Sequence, residues 1–106
     1  MAKKTRPRGE RRVLERAARQ LVRDRQKLAA LSPGGAAERP IDVPSAAVIP
    51  LRARATPCPL CEGALGIEHE SAESRAGRLV HAVHVSCARC GVPRTLWFHV
   101  VGPLPS

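Results

Sequence analysis

Cys58, Cys61, Cys87 and Cys90 are the only cysteines of the chain, and they fall in two Cys-x2-Cys pairs separated by 25 residues. Two residues between cysteines let both sulfurs of a tight turn point at one ion, and two such turns complete a tetrahedral site. Two disulfides or four unrelated buried thiols would not explain why no cysteine lies outside the pairs. The spacing therefore predicts one bound zinc ion. Four sulfurs leave no coordination position for water or substrate, so the expected role of the ion is structural. A redox dithiol would require a thioredoxin-like βαβ context, and the segments flanking these pairs read as strands.

The other side chains with chemical potential are scattered. With four cysteines available, none of His69, His81, His84 and His99 is needed as a ligand. A second metal or catalytic site would need His69, His81 and His99 to meet on one sheet face. His81 and His84 are expected on opposite faces of their strand, and polar strand positions face solvent by default. Glu68, Glu70 and Glu73 read as a solvated acidic turn. No set of nucleophile, base and oxyanion donors is readable, so a non-enzymatic protein is expected.

The formal charge of +9 is unevenly placed. Residues 1–31 hold eleven Lys/Arg against three acids, a net of +8, whereas residues 56–106 hold four Arg against four Glu. Four thiolates around a divalent ion would add −2 there. The basic character thus belongs to the N-terminal segment. That segment reads as one helix from Pro7 to Leu31: Thr5 can cap it, Pro7 suits a first turn, Glu10 suits the positive end of the dipole, and Ser32-Pro33-Gly34-Gly35 stops it. On a helical wheel Arg12, Arg16, Arg19, Arg23 and Lys27 share a sector of roughly 80°. Glu15 can pair with Arg19, but most of that face has no acid beside it. Leu14, Leu21 and Leu28 form a narrow apolar stripe on the opposite side, spaced as in a two-stranded coiled coil. The stripe suits either self-association or docking onto the chain's own C-terminal half.

Residues 32–55 read as a Pro/Gly/Ala linker, with a possible edge strand over 47–55 in which Pro50 would confine pairing to one side. Strands are expected at Ala64–Glu68, Leu79–Cys87 and Thr95–Val101, with a flexible polar turn at Glu70–Gly77, and Gly102-Pro103 and Pro105 end the last strand. Trp97 and Phe98, the only aromatics, alternate faces, so one can enter the core while the other stays exposed.

This order of knuckle, strand, hairpin, strand, knuckle and third strand resembles the zinc-ribbon superfamily over residues 56–102. The match is carried by Cys58, Cys61, Cys87 and Cys90, with Pro59 in the first turn and Gly91 after the second, where the backbone passing a thiolate needs positive φ. The first knuckle differs, because Glu62 follows Cys61 and the glycine comes at Gly63. The resemblance implies a three-stranded antiparallel sheet on a structural zinc, and with the N-terminal basic amphipathic helix (1–31) and the linker (32–55) read above, the expected fold is a small α+β protein ending in a zinc ribbon (56–106). Ribbons serve many unrelated roles, so it implies little about activity.

A module of this size has too small an apolar core to fold unaided, and zinc binding worth about 10–16 kcal/mol would supply the deficit. Met1-Ala2-Lys3-Lys4 lacks the apolar region of a secretory signal, and no apolar run approaches the roughly 18 residues of a membrane span. A cytoplasmic protein is expected, one whose five-cation helix face tracks the phosphates of RNA or DNA. The alternative is an adaptor that pairs or docks through Leu14, Leu21 and Leu28.

Overall fold

The computed structural model describes residues 8–101; Thr5, Pro7, Gly102, Pro103 and Pro105 lie outside them. The first element is helix α1 (Arg8–Leu31), whose interior of Arg, Ala, Leu, Gln and Glu consists of good helix formers. Its end is closed by Ser32, whose N–H and Oγ both donate to the Leu28 carbonyl, at 3.0 and 2.7 Å. The segment after it is built rather than slack. Gly34 adopts φ +82°, and a Cβ there would come within 2.6 Å of the Ile41 side chain, so only glycine fits. Its N–H donates to the Arg39 carbonyl at 2.6 Å, and its own carbonyl accepts from the Trp97 N–H at 2.9 Å.

Residues 41–55 correct the linker expectation. Strand β1 (Ile41–Val43) pairs parallel with the last strand of the chain. After a 3₁₀ turn over Ala46–Val48 comes helix α2 (Ile49–Ala55), not an edge strand. Pro50 sits in the first turn of α2, where its missing N–H costs nothing. Ile49 and Ala53, four residues apart, bury the same helix face at 1% and 0% exposure.

The remaining strands are β2 (Leu65–Arg75), β3 (Arg78–Cys87) and β4 (Pro93–Val100). The sheet is four-stranded and mixed, in the order β1-β4-β3-β2, so the expected three-stranded antiparallel ribbon is incomplete: β2, β3 and β4 are antiparallel, and β1 adds a parallel edge. β2 runs well past the predicted Glu68. Its hairpin turns on Ala76 and Gly77, at φ 51° and 77°, the two positive values of a type I′ turn. A bulge at Glu68, between Ile67 and His69, shifts the register.

The main core lies on one sheet face, although Val80 and Ala82 are buried on the other. Leu65, Val83, Val85, Leu96 and Phe98 project from one sheet face and form the core with Val43, Ile49 and Ala53. Phe98 is fully buried there, while Trp97 turns to the other face, half-buried, with the Arg75 guanidinium 5.3 Å from its ring centre. That outer face also holds His69 and His84, stacked at 5.5 Å, with the Thr95 hydroxyl 3.1 Å from His84 Nδ1. His81 pairs with Phe98 on the core-facing side, so His69, His81 and His99 do not converge.

Candidate metal centre

The four cysteines come from two turns that repeat each other. In the first, between α2 and β2, the Cys58 N–H donates to the Gly63 carbonyl at 3.0 Å and the Glu62 N–H to the Cys58 carbonyl at 2.8 Å. In the second, between β3 and β4, Cys87 N–H donates to Val92 at 3.0 Å and Gly91 N–H to Cys87 at 2.9 Å. The Ala88 N–H donates to the Ala64 carbonyl at 2.9 Å and ties the two turns together. Each turn needs a left-handed residue after its second cysteine. Gly91 supplies it at φ 77°, as expected, and Glu62 supplies it at φ 62°. The missing glycine of the first knuckle is therefore a sequence difference without a structural one.

Gly63 has a separate reason to lack a side chain. A Cβ there would lie 2.9 Å from Cys87 Sγ and 3.2 Å from Cys61 Sγ, inside the space between ligands. Because Glu62 holds a conformation that costs a non-glycine residue about 1 kcal/mol, Glu62→Gly is expected to stabilise the protein by up to about that amount. Thermal unfolding of the metal-loaded variant, with an upward shift of its midpoint, checks it.

All four sulfurs are free thiols and lie within 4.8 Å of one another. Cys58 and Cys90 are 3.7 Å apart and Cys61 and Cys87 3.3 Å apart. A tetrahedral ion with sulfur ligands at 2.3 Å separates its sulfurs by about 3.8 Å, so the cluster is sized for one metal ion. Backbone N–H groups already point at the sulfurs: Leu60 at Cys58 (3.4 Å), and Arg89 and Cys90 at Cys87 (both 3.3 Å). They favour the thiolate form that a metal needs. The Cys90 N–H is the main cause that draws Cys87 down to about 6. The Gly63 N–H lowers Cys61, but the hydrogen bond from Cys87, burial and the other two thiols push it up to about 11. Crowded sulfurs cannot all ionise without a cation between them.

Three arginines surround the cluster, and none was singled out by the sequence. Arg89 Nη1 donates to the Cys61 carbonyl at 3.3 Å, and Arg25 Nη1 to the Leu60 carbonyl at 2.8 Å. Arg94 sits beside Cys58, where burial lowers its pKa and the charge of Cys58 opposes that shift. Only Arg89 had a sequence signal, its place inside Cys-x2-Cys.

The other predicted residues lie along α1. Arg12, Arg16, Arg19, Arg23 and Lys27 are all exposed. Among the described residues none of them forms a salt bridge, and the expected Glu15–Arg19 pair is absent. Leu14, Leu21 and Leu28 are 48%, 51% and 65% exposed, so the stripe does not dock onto the sheet. Among the described residues no helix is long and apolar enough to cross a membrane. Comparison of the chain with protein-family models, curated proteins and solved structures finds no match in any of the three.

Proposed function

We propose a non-enzymatic cytoplasmic protein in which a ribbon-like module on one structural zinc carries α1, and α1 contacts the phosphate backbone of RNA or DNA with little sequence selectivity. The observation that carries the nucleic-acid reading is the five-cation face: Arg12, Arg16, Arg19, Arg23 and Lys27 are exposed, on one side of a 24-residue helix, without acid partners among the described residues. Cations so placed can replace the counterions condensed on nucleic acid. Zinc is supported by the donor set, since four thiolates in a tetrahedral cluster suit it and fill its coordination shell.

Fluorescence anisotropy of mixed-sequence RNA and DNA tests the reading. For five phosphate contacts the logarithm of the duplex DNA binding constant should fall with the logarithm of salt at a slope of about −4.5. Binding that ignores salt, or survives deletion of residues 1–31, would sink it. Metal analysis of the same protein should return one zinc per chain.

The exposure of Leu14, Leu21 and Leu28 favours a second reading, an adaptor that pairs with a copy of itself or with another protein along that stripe. Sedimentation at several concentrations separates the two, because self-association makes the mass rise with concentration.

A further inference from the structure

Among its described residues α1 is exposed along its whole length except for half-buried Ala29, so its direction is set entirely near its C-terminal end. Fixing the direction of a rod takes two attachments, one at its end and one further along. The first is the turn after the helix, where the Gly34 carbonyl accepts from the Trp97 N–H and Arg39 Nη2 donates to the Ala30 carbonyl at 3.2 Å. The second is Arg25, six residues before the end, roughly 9 Å back along the axis. Its guanidinium reaches the Leu60 carbonyl at 2.8 Å.

Leu60 is not an ordinary loop residue. It lies between Cys58 and Cys61, and its own N–H donates to the Cys58 sulfur at 3.4 Å. The position of its carbonyl is therefore tied to the conformation of the first knuckle. Shallow grooves of about 250 and 330 Å³ separate the last two turns of α1 from Pro59 and Arg94, and close packing on the rod is confined to Gly35 against Ala29 and Ala30.

We propose that the first knuckle, held in shape by its metal, is the docking platform of α1, with Arg25 as the positioning residue. Metal occupancy then fixes the direction in which the helix leaves the sheet. Without the Arg25 bond the rod is held only at its last turn and pivots there. This inference rests on the metal reading above but not on the nucleic-acid reading.

Residual dipolar couplings of the full-length, isotopically labelled protein test it, with metal stoichiometry measured on the same samples by native mass spectrometry. In the metal-loaded wild type, couplings from α1 and from the sheet should fit one alignment tensor. In Arg25→Ala the metal content and sheet chemical shifts should hold, while the α1 couplings fall roughly twofold or more relative to the sheet, as expected for a rod that reorients. A metal-loaded Arg25→Ala protein that still fits one tensor overturns the coupling alone. A wild type without metal whose helix and sheet share one tensor overturns it together with the metal reading.

Discussion

Removing the metal with a chelator is expected to unfold the sheet domain completely. The reason lies in the composition of its core. Of the ten buried residues in the main cluster, two are Cys58 and Cys87, so the ligands are themselves core side chains. Without the ion they become neighbouring thiols, 1% and 4% exposed, with only the Ala88–Ala64 bond and the exposed Arg89–Cys61 bond to hold the two turns against each other. Metal binding worth about 10–16 kcal/mol is as large as the whole stability of an ordinary domain, about 5–15 kcal/mol. The eight other side chains of the cluster, Phe98 the one aromatic among them, cannot replace it.

The same argument ranks the ligands. Cys58→Ser and Cys87→Ser each lose a thiolate and place a hydroxyl in the core, whereas Cys90, which is exposed, loses only the thiolate when changed to Ser. The first two variants should fail to show a cooperative melting transition, and Cys90→Ser should retain a weakened one. Acid should act in the same direction, because each sulfur must lose its proton to bind, so affinity falls as pH falls. Trp97 emission and near-ultraviolet circular dichroism report the transition. A sheet whose melting is untouched by chelator would show that its core is sufficient alone.

What was legible in the chain follows from how local each signal is. The cysteine pairs specify their cluster directly, since spacing alone determines which sulfurs can meet. β3 and β4 declare themselves through β-branched and aromatic residues in alternation. β1 could not, because three residues between Pro40 and Pro44 are too few to alternate, and its pairing with β4 is parallel and distant in sequence. The segment 47–55 alternates on paper, yet the pair that decides it is Ile49 with Ala53 at helical spacing. Pro50 held the clue, because it weakens a strand but is welcome in a first helical turn. The far half of β2 was hidden for another reason. Beyond the cover of α2 its residues are largely exposed on both faces, so selection for an apolar side is absent and Glu70–Arg75 reads as part of a turn. Arg25 carries no local signal at all, since its partner is a backbone carbonyl 35 residues away.

Replacing Arg12, Arg16, Arg19, Arg23 and Lys27 together with Gln is expected to abolish nucleic-acid binding and leave folding intact. All five are exposed and without salt bridges among the described residues, and Gln is a good helix former, so the melting temperature should not fall. Removing like charges four apart, as in Arg12–Arg16 and Arg19–Arg23, slightly favours the helix. Binding should respond very differently. A wild-type protein with five phosphate contacts loses roughly 500-fold in duplex affinity between about 50 and 200 mM salt, whereas the variant should bind at least as weakly at the low end and show almost no slope. The sheet cannot compensate, and the six Lys and Arg left in residues 1–31 stand beside three acids. Residues 56–106 balance four Arg against four Glu, and four thiolates on a divalent ion make that module negative. Phosphate should be drawn to α1 rather than to a module of net negative charge. A variant that retained wild-type affinity and salt slope would move the contact elsewhere and leave the Leu14, Leu21 and Leu28 stripe as the functional face of the helix.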